Sequence, residues 1–152
     1  MIFKQSLDAN ESSDMRQANL EKIQTFLAQV NDEYRPPLDT KVVLCAYAEK
    51  ILDHSILFVE EINGIGIVGM VVLYCNNENE KRAYIPLVGV LPTYQRRGIA
   101  KRLMQEAIVY VRQQGYKVLG IHSNNMVAVK MYTKLGFNIK DDSERKYMEL
   151  YI

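Results

Sequence analysis

The sequence predicts one mixed α/β domain, and three observations carry this prediction. The chain has 152 residues, the length of a single domain, here assigned to residues 1–152. Hydrophobic residues make up 48% and charged residues 24% of it, as in ordinary globular proteins. The segments run in the order helices, antiparallel hairpins, and then strand–helix–strand–helix–strand. That order is typical of a mixed α/β fold.

The N-terminal segment predicts a short strand and a long helix. Residues 2–7 alternate weakly between apolar and polar side chains, as a short strand does. A helix over 14–30 is predicted from apolar residues at helical spacing, namely Leu20, Ile23, Leu27 and Val30. Three consecutive residues before it are good helix N-caps: Ser12, Ser13 and Asp14.

A second helix is expected after Pro36-Pro37, which stops or redirects the chain. Asp39 or Thr40 would cap it, and it would run to about Lys50. The residues expected to face the core are Val42, Val43, Ala46 and Tyr47.

The next section is rich in strand-forming residues. Residues 56–59 and 67–74 predict two strands, and Asn63-Gly64 between them is a hairpin signal. Residues 83–90 predict a third strand, which contains Pro86. Because proline cannot donate to a strand ladder, a bulge or an unpaired position is expected there.

The C-terminal half predicts two helices that alternate with strands. The first begins at Gly98, ends at Gly115, and has one apolar face formed by Ile99, Leu103, Ala107 and Val111. A buried strand over 118–121 leads to a second helix, capped by Asn124 or Asn125 and carrying Val127, Ala128, Met131, Tyr132 and Leu135. This helix ends at Gly136, and two final strands are predicted over 137–139 and 147–152.

Charge and composition argue against several function classes. The net charge of +1 comes from 19 basic and 18 acidic side chains, so no global field attracts nucleic acid or an anionic membrane. Cys45 and Cys75 lie in apolar runs and are predicted to be buried thiols in a reducing compartment. Two cysteines and two histidines are too scattered to predict a metal site. The start of the chain lacks the pattern of a signal peptide, and no apolar run could span a bilayer, so a cytoplasmic location is expected.

A glycine-containing turn follows the predicted strand 83–90 and opens the next helix. The turn reads Gln95-Arg96-Arg97-Gly98-Ile99-Ala100. The free backbone N–H groups of a helix N-terminus bind anions, and glycine lets a phosphate approach the backbone closely. Taken alone, this turn would equally fit a solvated, arginine-containing loop with a glycine helix breaker.

A second motif distinguishes these interpretations. Asn125, Ala128 and Tyr132 recur at helical spacing, and Gly136-Phe137 follows them as a helix end leading into a strand. An ordinary amphipathic helix would show the same spacing. The occurrence of both motifs, separated by one strand, is far less expected by chance.

Together the two motifs resemble the GNAT superfamily of acyl-CoA-dependent N-acyltransferases. The likeness is specific over residues 84–137, and the family's pattern Gln/Arg-x-x-Gly-x-Gly/Ala falls on Gln95, Gly98 and Ala100. The resemblance implies a central, twisted, mostly antiparallel sheet flanked by about four helices, with strands that splay apart at the acetyl-CoA site. It also implies the use of acetyl-CoA and an amine-bearing acceptor, with no metal.

The resemblance further implies where acetyl-CoA binds. Backbone amides from Arg96 through Lys101 would hold the pyrophosphate, and the splayed strand Val88–Val90 would pair with the pantetheine arm. The backbone N–H of Val90 would polarise the thioester oxygen. The residues placed on the coenzyme are Val88, Val90, Gln95, Arg96, Arg97, Gly98, Ile99, Ala100, Lys101, Asn125, Ala128 and Tyr132.

The expected reaction is direct attack of an amine on the acetyl thioester, with Tyr132 as general acid for the departing thiolate. The base is less defined, because neither strand beside the site has the glutamate that relatives often carry. His122 is the candidate base, although a structural hydrogen bond is an equal explanation for a histidine at a strand end. Tyr84 could relay a proton through water, and Glu60 and Glu61 fit a solvated face better than a cleft.

Two other interpretations remain open. A non-catalytic acyl-CoA-binding or regulatory module on the same fold is the alternative to an enzyme. A nucleic-acid-binding domain is disfavoured by the near-neutral charge. The acceptor is not specified by the sequence, and a homodimer formed through the last strands is a further expectation from the resemblance.

Overall fold

A computed structural model describes the backbone of residues 2–5 and residues 13–152 in full. Within this part of the chain a sheet carries four α-helices. The strands are β1 Ile2–Gln5, β2 Ile56–Ile62, β3 Gly66–Asn77, β4 Arg82–Val90, β5 Val118–Ser123, β6 Asn138–Asp141 and β7 Lys146–Tyr151. The helices are α1 Ser13–Val30, α2 Leu44–His54, α3 Ile99–Gln113 and α4 Met126–Lys134.

The sheet has the strand order β1-β2-β3-β4-β5-β7-β6. Among the described strands, β4 and β5 form a parallel pair and every other neighbouring pair is antiparallel. This arrangement confirms the predicted mixed fold with a mostly antiparallel sheet. The connection from β4 to β5 passes through α3, as a parallel pair requires a crossover of about a dozen residues or more.

The β4 and β5 strands separate halfway along their length. Their register runs from Arg82 paired with Val118 to Ile85 paired with Ile121, and no pairing follows although β4 continues to Val90. On its other edge, β4 has a bulge, because Tyr84 pairs with Tyr74 and Leu87 with Val72. Pro86 lies in this bulge, where a missing N–H costs no ladder bond, so the expected irregularity is confirmed. The splayed strands leave a wedge-shaped gap.

Helices cover both faces of the sheet. Leu57 and Val59 of β2 lie beside Ile23 of α1, whereas Phe58, which points to the opposite face, stacks edge-on against Tyr110 of α3 with ring centroids 5.9 Å apart. The segments 57–59 of β2 and 67–73 of β3 are accordingly buried without interruption. This double cover fixes α3, whose N-terminus reaches the gap.

The helix–sheet contact at α3 is close because of a glycine. A Cβ atom at Gly69 of β3 would lie 2.5 Å from Cγ2 of Ile99 and 3.4 Å from Cδ1 of Leu103. Glycine therefore lets the first two turns of α3 lie directly on β3. Leu103 is fully buried there.

The prediction for the second helix is wrong in position and face. Residues 38–40 form a separate 3-10 turn, and Val43 is extended at the N-cap, so α2 begins only at Leu44. Val43 is 68% exposed and Ala46 is also exposed. The buried residues of α2 are Ala48, Ile51 and Leu52. Cys45, which was expected to be buried, is exposed, and Cys75 is half-buried.

Most other predicted elements are confirmed within one to three residues. The four apolar residues expected on α1 and the four expected on α3 are buried. Three helix or hairpin boundaries fall at glycines with positive φ, namely Gly64, Gly115 and Gly136. Ser12 and the strand expectation for residues 6 and 7 lie outside the described residues.

The packing of α3 generates a stability prediction. We expect Leu103→Ala to lower the free energy of unfolding by about 2–5 kcal/mol, because it leaves a cavity between α3 and β3. Val109→Ala is the matched control on the same helix, since Val109 is 40% exposed; its effect should stay within about 0.5 kcal/mol. Urea unfolding measures both, and equal losses would contradict this description of the core.

Candidate active site

A cleft of about 610 Å³ occupies the gap between β4 and β5. Its walls come from the connection between α1 and α2, the splayed part of β4, the starts of α3 and α4, and the end of β5. The sequence connects β4 to α3 and β5 to α4, so both helices begin at the same edge of the sheet. The cleft is therefore faced by two helix N-termini.

The turn before α3 presents unpaired backbone N–H groups. Gly98 is the N-cap with φ of 81°, and Arg96 also has a positive φ of 65°. Within the described part of the chain, the first N–H of this helix with an internal partner is that of Arg102, which donates to the Gly98 carbonyl at 3.0 Å. The N–H groups of residues 96–101 thus remain available at the positive end of the helix dipole. This arrangement fits an anion such as a pyrophosphate.

The side chains of this turn divide into two sets. Those of Arg96 and Lys101 line the cleft. Arg97 does not, because its guanidinium lies over the Tyr94 ring at 4.9 Å from the ring centroid. The structure thus gives Arg97 a cation–π contact where the sequence suggested a ligand contact.

The splayed half of β4 offers two kinds of backbone group to the gap. The Leu91 N–H donates to the Val68 carbonyl of β3 at 2.9 Å. Because the backbone groups of successive strand residues point to alternate edges of the strand, those of Val88 and Val90 point away from β3. Their carbonyls are occupied: Tyr34 donates to Val88 O at 2.8 Å and Gln95 Nε2 donates to Val90 O at 3.1 Å. The N–H groups of Val88 and Val90 remain directed into the gap.

Residues 33–35 form a strap across the cleft. Glu33 Oε1 accepts from Gln95 Nε2 at 2.9 Å at one end, and the Arg35 carbonyl accepts from Asn124 Nδ2 at 2.6 Å at the other. Tyr34 donates its hydrogen bond to β4 between these anchors. The strap therefore ties the N-terminal helices to the ends of β4 and β5.

Tyr132 of α4 reaches the cleft from a buried position. It is 3% exposed, its ring packs against that of Phe137 at 5.9 Å between centroids, and it lines the cleft. Burial raises the pKa of the Tyr132 hydroxyl well above its usual range, so the group keeps its proton. Its hydroxyl has no hydrogen-bond partner among the described residues and can donate to a ligand.

His122 lies near the end of β5. Its Nδ1 lies 2.6 Å from the Tyr84 hydroxyl oxygen, and its ring packs against that of Tyr147 at a tilt of 41°, with centroids 4.8 Å apart. His122 lines the cleft and Tyr84 does not. Burial, and then the nearby Arg145 guanidinium, lower the pKa of His122 below that of a free imidazole, against a weaker opposing effect of Asp141.

Asn125 has a structural role that the sequence also predicted. Its Oδ1 accepts from the backbone N–H groups of Val127 at 3.0 Å and Ala128 at 3.3 Å, which makes it the N-cap of α4. The side chain lines the cleft as well.

The structure brings together nearly all residues that the sequence placed at the site. Every one of the twelve residues expected on the coenzyme lines the cleft except Arg97, and His122 lines it too. Glu60 and Glu61 are elsewhere, since Glu60 pairs with Arg102 at 3.1 Å and Glu61 with Lys22 at 2.9 Å.

The sequence interpretation missed the strap and Arg145. Tyr34 precedes a proline pair, and Arg145 lies in the connection between β6 and β7. Neither belongs to a periodic segment or a short motif. No local signal in the sequence could have placed them at the cleft.

The described residues include neither a membrane-spanning helix nor a cluster of metal-ligating side chains. None of the helices there is long and apolar enough to cross a membrane. No group of three or more histidine, cysteine, aspartate or glutamate side chains in the described part is arranged to hold a metal ion.

The fold is shared with solved acetyltransferases. A PaiA N-acetyltransferase from Thermoplasma acidophilum, solved in complex with coenzyme A, superposes with a TM-score of 0.74 at 16% identity, covering 100% of this chain and 99% of that one. The ribosomal-protein-S18-alanine N-acetyltransferase from Escherichia coli also gives 0.74, at 19% identity, covering 100% and 94%. Identities this low show a common fold.

Sequence similarity identifies the family to which this chain belongs. The probable N-acetyltransferase san of Drosophila melanogaster is 32% identical over 78 residues, which are 49% of this chain and 42% of that protein, so the match spans less than half of the relative's length. Residues 20–137 match the model of the Acetyltransferase (GNAT) family. Because that match covers most of the chain, the protein belongs to the GNAT family of acetyltransferases.

Proposed function

We propose that this protein transfers the acetyl group of acetyl-CoA to an amine. The observation that carries the proposal is one cleft that joins the free N–H groups before α3, the Tyr132 hydroxyl and the His122 ring. An anion site, a proton donor and a proton acceptor thus face the same space. This set matches what acyl transfer from a phosphate-bearing thioester requires.

The residues of the turn fit the charged end of the coenzyme. The N–H groups of residues 96–101, with the side chains of Arg96 and Lys101, would hold its pyrophosphate. The N–H groups of Val88 and Val90 would bind the pantetheine arm and, at Val90, the thioester oxygen. The carbonyls of Val88 and Val90 add nothing here, since Tyr34 and Gln95 already occupy them. Acetyl-CoA would supply the activated acetyl group.

Tyr132 is the proposed general acid. Its raised pKa, which results from burial, keeps the hydroxyl protonated at neutral pH, and the hydroxyl faces the cleft. It would give its proton to the departing sulfur. Because a thiolate is already a fair leaving group, the rate gain expected from Tyr132 lies at the lower end of the range that is usual for general acids.

His122 is the proposed general base. A hydrogen bond from Nδ1–H to the Tyr84 oxygen would leave the Nε2 lone pair to take the proton of the attacking amine. Tyr84 is then a positioning residue, since it holds the ring without lining the cleft. The lowered pKa of His122, caused first by burial, keeps Nε2 unprotonated at neutral pH.

The donor site is tested by charge reversal at the turn. We expect Arg96→Glu combined with Lys101→Glu to weaken acetyl-CoA binding at least about tenfold, because charge-assisted contacts to phosphate contribute about 1.5–3 kcal/mol. The control is Arg112→Glu in the last turn of α3, away from the cleft. Calorimetry measures binding, and thiol release with a panel of amines measures turnover. Binding without turnover for the wild type would favour a non-catalytic acyl-CoA-binding module.

Removal of the Tyr132 hydroxyl tests the acid. Tyr132→Phe should lower kcat by about 10- to 100-fold, with acetyl-CoA affinity nearly retained. Tyr116→Phe is the matched control, because the Tyr116 hydroxyl is bonded to the Cys75 carbonyl and Glu78, away from the cleft. Steady-state thiol release measures both variants. An unchanged kcat for Tyr132→Phe would exclude Tyr132 as the acid.

The pH profile tests the base. Activity should rise with pH as His122 loses its proton, and this acidic limb should lie below pH 6.5 since the folded-state pKa is lowered by burial and Arg145. His122→Gln should lower kcat/KM about 100-fold and remove that limb. His54→Gln, a change at the exposed end of α2, should leave the profile unaltered. Persistence of the limb in His122→Gln would show that another group titrates.

A further inference from the structure

The part of the cleft around His122 carries a cation. We call it the acceptor end and define it by His122 and Arg145, which both line the cleft. The sheet register brings them together, because Ser123, next to His122, pairs with Lys146, and Arg145 directly precedes Lys146. The Arg145 charge lowers the pKa of His122, in the same direction as the larger effect of burial. It also lowers the pKa of the Tyr84 hydroxyl, against the larger effect of burial.

Within the described residues, Arg145 has no carboxylate within ion-pair distance. In the connection that carries Arg145, Asp142 pairs with Lys146 at 2.6 Å instead. Asp141 raises the pKa of His122, but its effect is smaller than the opposite effect of Arg145. The cation therefore dominates the charge beside His122.

The position of Arg145, and not its lack of an ion pair, distinguishes it from other cations. Several basic side chains of the described part form ion pairs of 3.1 Å or less, and others, among them Arg145, do not. Arg145 lines the cleft beside His122. The carboxylate that lines the cleft among the described residues, Glu33, accepts from Gln95 Nε2 at 2.9 Å. Arg145 is therefore placed to contact a ligand whose amine lies by His122.

This charge arrangement selects among amines. An acceptor with several ammonium groups would be repelled by Arg145, to an extent that solvent screening limits because Arg145 is exposed. An acceptor with an anion near its amine gains a contact with Arg145 while the amine lies by His122. The guanidinium binds carboxylate and phosphate in a planar, two-bonded geometry.

We propose that the acceptor is a small primary amine that also carries a carboxylate or a phosphate, and that Arg145 binds this anion. The inference rests on the proposed acetyl transfer. Arg145 is here a specificity-determining residue, whereas His122 and Tyr132 handle the protons.

The experiment compares acceptors that differ in the anion alone. One pair is an α-amino acid and its carboxamide, and the other is O-phosphoethanolamine and ethanolamine. We expect kcat/KM for the anionic member of at least one pair to exceed that for its neutral partner by about tenfold or more, since charged hydrogen bonds contribute about 1.5–3 kcal/mol. The pair that shows the preference distinguishes carboxylate from phosphate.

Variants then assign the preference to Arg145. Arg145→Gln should reduce the ratio of anionic to neutral kcat/KM about tenfold, mainly through KM, Arg145→Lys should retain part of it, and Arg145→Glu should reverse it. Arg112→Gln, outside the cleft, should keep the wild-type ratio.

Two results would overturn the inference. One is a wild-type enzyme that treats both members of each pair equally, and the other is an Arg145→Gln variant that loses activity equally with both. Absence of thiol release with every amine, while acetyl-CoA still binds, would instead contradict the proposed function. Calorimetric titration of the amino acid into the acetyl-CoA-loaded protein then decides the anion site separately, because equal affinity in wild type and Arg145→Gln would exclude it.

Discussion

The point at which β4 parts from β5 is the constraint on which the site depends. Pairing stops after Ile85 and Ile121, at a bulge that contains Pro86. Because α3 follows β4 and α4 follows β5, separating these strands brings two helix N-termini to one opening. The separation also frees the N–H groups of Val88 and Val90, which a continued ladder would have consumed. Cleft, anion site and strand donors are thus consequences of one broken pairing.

A broken pairing leaves polar groups that must be satisfied, and the strap does this from a distant part of the chain. Leaving a buried carbonyl without a partner costs about 1–3 kcal/mol, and Tyr34 avoids a cost of this kind at the partly buried Val88 carbonyl. The Tyr34 hydroxyl fits because a Cβ at Gly89 would lie 2.7 Å from it. Because the strap connects α1 to α2, its hydrogen bonds link the positions of these helices to the stability of the site.

The sequence predicted what is local and periodic. The buried face of α3 and the cap at Asn125 follow from spacing and from a short polar side chain, and the structure has both. The predicted start of α2 was wrong because a 3-10 turn at Leu38–Thr40 and an extended Val43 precede the helix. Residue propensities do not predict such an interruption. Tyr34 and Arg145 reach the cleft through contacts between parts of the chain that are far apart in sequence, and no pattern of neighbours encodes those. Arg97 is the opposite case. It belongs to a motif that the sequence does show, but its guanidinium lies over the Tyr94 ring and its side chain does not line the cleft.

Burial shifts the pKa values of Tyr132 and His122 in opposite directions. It disfavours the charged form of any group, so it raises the pKa of Tyr132 and lowers that of His122. At His122 the Arg145 charge adds to the effect of burial, and Asp141 opposes it more weakly. Both net shifts favour the neutral side chain. The His122 ring is also held in place. Glu149, buried and paired with Arg82 at 2.6 Å, accepts from the Tyr147 hydroxyl at 2.8 Å, and the Tyr147 ring packs against His122. In the proposed reaction, a histidine fixed in this way would accept the proton of an amine whose anion lies next to the Arg145 guanidinium.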